Sequence, residues 1–485
     1  MISRREALRN IVAGAGALAG SAVLPAPAAR RPNVVFIFLD DLGYGDLGVT
    51  GNRDVATPHM DSLARDGVQF TQFYVASPIC SPSRVGVTTG QYPARHLIHS
   101  YLNTRESNRA LGMCDYLNPS APCLARAFQR AGYATGHFGK WHMGGGRDVN
   151  DAPLPRAYGF DEALSSFEGL GDRVLEKDHR LSEQSARLGR GRIQRAPKHQ
   201  LTEIWVDHAI QFIRRHASRP FYLQLWPSDV HDVHRPRPDL MEKYARFSSN
   251  PFVQSFYAVL DELDRQIGRL LGAIDETGLA ENTLVVFTGD NGPTAWPRYY
   301  EQGFQAPGST AGLRGRKWSL YEGGIRQPFF ARWKGSLPAG LVDKQTVVGA
   351  VDLFPTLCTL AGISPPRVTF DGHDMSTAFG GKPRQRARPL LWEYGRDERL
   401  LRPGLKDDQS PNLAIRDDRW KLLVNGDGSR LELYDFDVSD KERENVAKQH
   451  PAVVDRLSKA VLAWRRSWPV LTEAKGSPAV HFFRG

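Results

Sequence analysis

Three short runs of almost unbroken apolar residues constrain this chain more than any other feature. RPNVVFIFLDD (31–41), PFYLQLW (220–226) and TLVVFTGDN (283–291) each have the length of a strand and are rich in Val, Ile, Leu and Phe. Runs of this kind are buried on both faces, as strands of a parallel sheet are. Between the second and third lies FYAVLDELDRQIGRLLGAIDETG. There Phe256, Val259, Leu260, Leu263, Ile267, Leu270, Leu271 and Ile274 keep one helical face apolar. TPHMDSLARDG and APCLARAFQRAGY read as further helices, the first ended by Gly67. Strands alternating with amphipathic helices predict an α/β fold built on a large, mostly parallel sheet flanked by helices.

The pattern changes at both ends. After KPRQRARP (382–389) come PLLWEYG, LAIRDDRWKLLV and LELYDFD, then a helix over roughly Pro451–Trp468. This predicts a smaller C-terminal α+β subdomain carrying an antiparallel sheet. At the other end SRREALR precedes the weakly apolar IVAGAGALAGSAVL and then PAPAA. A basic start, a short apolar stretch and an Ala-x-Ala site make an export signal too short to span a bilayer. The Arg4–Arg5 pair gives it the twin-arginine character. The expected organisation is a signal peptide over 1–28, a catalytic domain over 30–385 and the subdomain over 386–485. The protein is expected to be exported to the periplasm or beyond, with no membrane anchor after signal removal. Residues 170–200 are charged and poor in apolar side chains, and read as a solvated insertion. Of the formal charge of +10, Arg4, Arg5, Arg9 and Glu6 supply +2, leaving +8 on the rest. A basic surface favours anionic partners. No DNA- or RNA-binding motif is present, so nucleic acid is not expected among them.

The chemistry gathers at strand ends. The first run stops at Asp40 and Asp41, the third at Asp290 and Asn291. Singly, the first pair can cap a helix and the second can make an Asn-Gly turn. Together, at the carboxyl ends of two parallel strands, they offer four hard oxygen donors where ligands of such sheets collect, which favours Ca²⁺ or Mg²⁺. Cationic groups recur as well. GYATGHFGKWHMG (132–144) places Lys140 and His142 two apart, on one side if the segment is extended. RGRKWSLYEGGIR (314–326) holds Lys317, and VHDVHRP (230–236) holds His231 and His234. Beside a hard cation, such lysines and histidines suit a tetrahedral oxyanion, the former for its oxygens and the latter for protons. The nucleophile is missing: there is no Gly-x-Ser-x-Gly elbow and no P-loop. Cys80 stands in CSPSRVGVTTG (80–90), before a run rich in turn residues, but thiolate sulfur is a poor match to a hard cation. Cys114 and Cys123 can close a small loop in an oxidising compartment, and Cys358 sits in an apolar helical pattern.

CSPSRVGVTTG and GYATGHFGKWHMG together resemble the two signature motifs of the type I sulfatases of the alkaline phosphatase superfamily. RPNVVFIFLDDLGYGDLG, TPHMDSLARDGVQF, TGDNG, LRGRKWSLYEGGIRQP, VDLFPTL and the closing WKLLV and ELYDFDVSDKERENVA resemble the same family, in its usual order. The resemblance implies an alkaline phosphatase-like fold and a sulfatase that releases inorganic sulfate from a sulfate monoester. It implies that a formylglycine-generating enzyme converts Cys80 to Cα-formylglycine, whose hydrate is the missing oxygen nucleophile. It also implies Ca²⁺ held by Asp40, Asp41, Asp290 and Asn291, with an oxygen of residue 80 close by.

The implied roles continue outward from that centre. Arg84 would hold the hydrate ionisable, Lys140 and Lys317 would clamp sulfate oxygens, and His231 would protonate the leaving alcohol. His142 would take the proton whose loss expels sulfate. Here Val230 and Val233 replace prolines that the family often carries around His231 and His234, which leaves His234 as a subsite or structural residue. The basic charge and the export signal point to a sulfated sugar or polysaccharide. Its specificity is expected in loops 96–118, 170–200 and 296–310, where Trp296, Tyr299 and Tyr300 can stack on a sugar or pack their own loop down. A phosphate or phosphonate monoester hydrolase on the same scaffold, or a catalytically silent sulfoglycan-binding protein, are the alternatives.

Overall fold

The computed structural model describes residues 31–469; the signal stretch 1–28 and residues 470–485 lie outside the described residues. Eleven strands form one sheet: Asn33–Leu39 (β1), Val68–Tyr74 (β2), Ala134–Lys140 (β3), Glu162–Ser166 (β4), Arg173–Glu176 (β5), Ile193–Ala196 (β6), Phe221–Trp226 (β7), Thr283–Gly289 (β8), Arg326–Arg332 (β9), Leu341–Asp343 (β10) and Val348–Gly349 (β11). Their order is β10-β2-β9-β8-β1-β7-β3-β4-β5-β6, with β11 on the end of β2. Only β9 runs against its neighbours, β2 and β8; the other pairings are parallel.

The three apolar runs are the centre of this sheet. β1 lies between β7 and β8, with Ile37 opposite Leu225 and Leu39 opposite Gly289. Its period-two alternation splits its side chains between two cores. Val34, Phe36 and Phe38 face one, and Val35, Ile37 and Leu39 face the other, where the Lys198–Arg215 and Pro251–Glu276 helices pack. Each such side chain, fully buried, contributes about 1.5–3 kcal/mol, so β1 is dictated by burial and not by a local turn signal.

A second sheet begins at Leu390. Leu390–Glu393 (β12), Leu413–Asp417 (β13), Trp420–Val424 (β14) and Glu432–Asp435 (β15) pair antiparallel in chain order. Leu413, Ile415, Leu422, Val424 and Leu433 meet Leu457 and Val461 of the Pro451–Arg466 helix. Trp392, Ala414, Leu423 and Tyr434 face the main core, so the second sheet shares that core.

Two expectations need correction. Residues 170–200 are not a solvated insertion: β5 and β6 extend the main sheet, with the Arg180–Leu188 helix between them. Arg173, Val174 and Leu175 are fully buried, and the Arg173 guanidinium donates to the carbonyls of Ser185 (2.9 Å) and Gly145 (3.4 Å). A buried arginine that satisfies backbone carbonyls looks like surface charge in a sequence. The run after Cys80 is not a turn but the Cys80–Thr89 helix, ended by Gly90 in the left-handed conformation. Each of its residues is buried, so tertiary packing overrides the weak helix propensity of Ser, Thr, Gly and Pro.

Candidate active site

Parallel strands deliver their carboxyl ends to one edge, and the predicted residues meet there. β1 leads into Asp40 and Asp41, and adjacent β8 into Asp290 and Asn291. Asp41 takes a left-handed backbone (φ 64°), and its N–H donates to Asp290 Oδ1 at 3.1 Å. β3 ends on Lys140. The preceding Gly139 has φ 132°, and a Cβ there would stand 2.2 Å from the Trp226 carbonyl oxygen, so only glycine lets β3 run this close to β7. The loop after β7 carries His231. The loop before β9 carries Lys317 to the same edge because β9 is antiparallel. Cys80 is the first residue of its helix, whose N-terminus adds partial positive charge to the site.

The side chains interlock. Lys140 Nζ lies 2.6 Å from Asp40 Oδ2, and Lys317 Nζ lies 2.6 and 2.7 Å from the two Asp41 oxygens. Cys80 Sγ donates to Asp40 Oδ1 at 3.2 Å. Asn291 Nδ2 donates to Asp41 Oδ1 at 2.7 Å. Arg84, one helical turn beyond Cys80, donates to Asp290 Oδ2 and to the Lys140 carbonyl, both at 2.8 Å. Its guanidinium lies against the Phe38 and Trp226 rings at 5.7 and 5.2 Å. His231 Nε2 stands 3.7 Å from Asp41 Oδ2 and its side chain is 27% exposed, which puts it at the mouth. His142 is buried, and both its ring nitrogens lack a partner. It does not continue the strand in extended form as expected: its φ of 51° turns the chain just past Lys140.

Charge sets the protonation states. Burial alone would raise the Asp40 carboxyl, but Lys140, His231, Arg84 and Lys317 hold it well below the usual carboxylate range. Burial pushes Asp41 up, and burial with the neighbouring Asp40 pushes Asp290 up to about 7. Burial and then Asp40 raise the Cys80 thiol, so the unmodified side chain is a protonated, poor nucleophile at neutral pH. Burial and Lys317 hold His231 well below the ordinary imidazole value; burial, Lys140 and Arg84 do the same to His142.

The residues fit a hard cation. Asn291 Oδ1 is a buried amide oxygen with no partner. Ligand atoms of Asp40, Asp41, Cys80 and His231 all lie within 4.8 Å of one another; Asp290 stands outside that group and touches it through the Asp41 N–H at 3.1 Å. Asp40, Asp41 and Asp290 are balanced by Arg84, Lys140 and Lys317, so a bound dication would leave the cluster at +2, suited to an anion. Asp40, Asp41, Cys80, Arg84, Lys140, His231, Asp290, Asn291 and Lys317 are thus linked by direct contacts at this edge.

The other expectations sort as follows. His234 is buried, with Nε2 3.0 Å from the Val230 carbonyl oxygen, and is structural. Tyr299 packs on Phe252 and Trp296 on Trp318, so both pin their loop down. The four cysteines are unpaired, and Cys358 is buried in the main core. Two neighbours of the site were not foreseen. The Phe167 ring lies 4.9 Å from Lys140 Nζ and 4.4 Å from the His142 ring. Lys198 donates to the carbonyls of His231 and Val233. Nothing in SSFEGLG marks Phe167; Lys198 opens a long amphipathic helix, and its position there was the only signal.

Known proteins resemble this chain along most of its length. The family model described as Sulfatase matches residues 32–363. An N-acetylgalactosamine-6-O-sulfatase of Bacteroides thetaiotaomicron is 29% identical, over 88% of this chain and 92% of its own length. Arylsulfatase A of Homo sapiens is 31% identical, over 89% of this chain and 82% of its own. The crystal structure of Ps i-CgsB in complex with k-i-k-neocarrahexaose is similar at a TM-score of 0.73 and 26% identity, covering 90% of this chain and 95% of that one.

Proposed function

Since this chain belongs to the type I sulfatase family of the alkaline phosphatase superfamily and is a sulfuric ester hydrolase, we propose that its substrate is a sulfated sugar or polysaccharide fragment. Support comes from the sugar named in one relative, the carrahexaose bound in a similar structure, and the charge of +8 outside residues 1–28.

One observation carries the reaction: two buried lysines, Lys140 (2% exposed) and Lys317 (4% exposed), converge on the aspartate pair beside Cys80. In this reading they turn from the aspartates to the oxygens of a sulfate group. Asp40, Asp41, Asp290 and Asn291 would hold Ca²⁺, which would neutralise charge on the sulfate. Cys80, converted to Cα-formylglycine by a formylglycine-generating enzyme, would supply on hydration the oxygen nucleophile that its thiol is not. Arg84 fixes Asp290 and the Lys140 backbone, and its charge favours an ionised oxygen one helical turn away. His231, at the mouth, protonates the departing alcohol. It is neutral in the free protein, but an anion on Lys140 and Lys317 weakens the field that keeps it so. His142, buried, neutral and unpartnered, accepts the proton whose removal frees sulfate.

The second sheet, which opens at Leu390, supports a division into a catalytic domain over 30–385 and an appended subdomain over 386–485. Residues 1–28 direct twin-arginine export to the periplasm. Among the described residues no helix is long and apolar enough to cross a membrane. The test is turnover of a matched aryl sulfate and aryl phosphate, followed by a panel of sulfated sugars. Faster sulfate cleavage and release of sulfate from at least one sugar are expected. Preferential cleavage of phosphate, or no sugar substrate, would contradict the reading.

A further inference from the structure

Lys317 reaches the site on a strained loop. Gly315 and Trp318 on either side have φ of 80° and 71°, and for tryptophan that backbone state must be imposed from outside. On the catalytic side the loop is held by main-chain bonds, from Lys317 N–H to the Pro293 carbonyl (3.0 Å) and from Trp318 N–H to the Pro78 carbonyl (2.9 Å). There too the Arg316 guanidinium donates to the carbonyls of Thr294 (2.8 Å), Pro307 and Gly308 (2.9 Å). A further set of restraints comes from the second sheet and its loops. Gly315 N–H donates to Asp408 (3.1 Å), Leu320 N–H to Ser410 Oγ (2.8 Å), and Tyr321 OH to Glu432 (2.7 Å).

At the loop's end sits a buried ion cluster. Lys421 Nζ lies 2.8 Å from Glu322 Oε1 and 2.8 Å from Glu442 Oε1, with all three side chains at 0% exposure. Glu442 Oε2 accepts the Glu322 N–H at 2.6 Å, and Glu322 Oε2 accepts Tyr74 OH at 2.8 Å. Lys421 is out of pattern. On β14 it shares a face with Leu423, which is in the main core, so the alternation calls for an apolar side chain. Stability does not explain a lysine here, because well-packed apolar residues generally hold a core as well as a buried ion cluster does. What the cluster adds is direction: it fixes the Glu322 backbone and side chain, and with them the exit of the loop that carries Lys317.

We infer that Lys421, with Glu442, is a positioning residue: through Glu322 the second sheet sets where the Lys317 ammonium stands in the site. The inference rests on the reading of Lys317 as a sulfate clamp. It gives the appended sheet a part in the reaction, although none of its residues need touch substrate.

The test is a double-mutant cycle on an aryl sulfate, using the full chain with residue 80 converted. Lys421→Met should lower kcat/KM by about 10- to 100-fold, the effect of misplacing a catalytic group by about an ångström. In a Lys317→Ala background the same change should cost nothing further, because the group it positions is gone. Glu442→Gln, which can still accept the Glu322 N–H, should show a smaller loss that also vanishes in that background. Thermal unfolding checks that each variant is folded. Equal losses in both backgrounds, or no loss, would overturn the inference. Failure of both Lys421→Met and Glu442→Gln to fold would overturn it too, since the cluster would then hold the fold and not the loop. Full activity of Lys317→Ala would mark the clamp reading itself as the error, and the inference would fall with it.

Discussion

Calcium added to cation-free protein should raise its melting temperature, by an amount that can be worked out. The site contains a buried amide oxygen, Asn291 Oδ1, with no partner, beside three carboxylates tied to Arg84, Lys140 and Lys317. An ion that binds only the folded chain stabilises it by about 2.7 kcal/mol at 100 times its Kd. Unfolding entropy near 2.1 cal/mol/K per residue is about 1 kcal/mol/K for 485 residues, so the melting temperature should rise by about 3 °C. Asn291→Leu keeps the volume and removes the oxygen. Losing outer-shell partners already costs about 10- to 100-fold in affinity, and losing a direct ligand should cost at least that. At the same calcium concentration the gain would then fall to between about 1.4 and about 0.4 kcal/mol. Calorimetry after exhaustive chelation, with calcium returned stepwise, reads both proteins. Magnesium should give a smaller rise, since it demands near-ideal octahedral geometry. No rise for the parent protein in millimolar calcium, or an equal rise for Asn291→Leu, would refute the reasoning.

His231→Ala should reduce turnover of an alkyl or sugar sulfate by about 100- to 10,000-fold but spare an activated aryl sulfate, whose leaving group needs no proton; equal losses on both would remove His231 from that role. Acid should destabilise the fold through His137, which burial lowers from 6.5 to about 4 while its Nδ1 pairs with Gln224. Its folded pKa lies below the unfolded one, so its contribution is intact above pH 6.5 and is lost as pH falls towards 4, by up to about 3 kcal/mol. Denaturant melts of His137→Gln should show a shallower pH dependence across that window. Arg173→Met should leave the Ser185 and Gly145 carbonyls unpaired and cost about 1–3 kcal/mol, seen as new proteolysis between 173 and 196; an unchanged digestion pattern would mean that this edge does not depend on the arginine.

What could be read in the sequence was what burial and strand polarity dictate. β1, β7 and β8 are mostly apolar and buried along their whole length, and their pairing makes neighbours of Asp40, Asp41, Asp290 and Asn291. The motif resemblance then picked out Cys80, Arg84, Lys140, His142, His231 and Lys317, which no periodicity singles out. The missed features are those where polar residues do structural work. Arg173 is buried in β5, one strand in from the sheet edge, the Cys80–Thr89 helix is assembled from poor helix formers, and Lys421 occupies an apolar position in β14. In each case the partners that satisfy the residue are distant in the chain or lie in irregular segments, and local pattern cannot supply them.

The central claim is that the nucleophile is made from Cys80 after translation. Mass spectrometry of the peptide containing Cys80, from protein produced with a formylglycine-generating enzyme shown to act on a control, tests it most directly. The account predicts a mass in which CHO replaces CH₂SH at residue 80, in a sample that cleaves sulfate esters. An intact thiol in a sample that cleaves them equally well would contradict it.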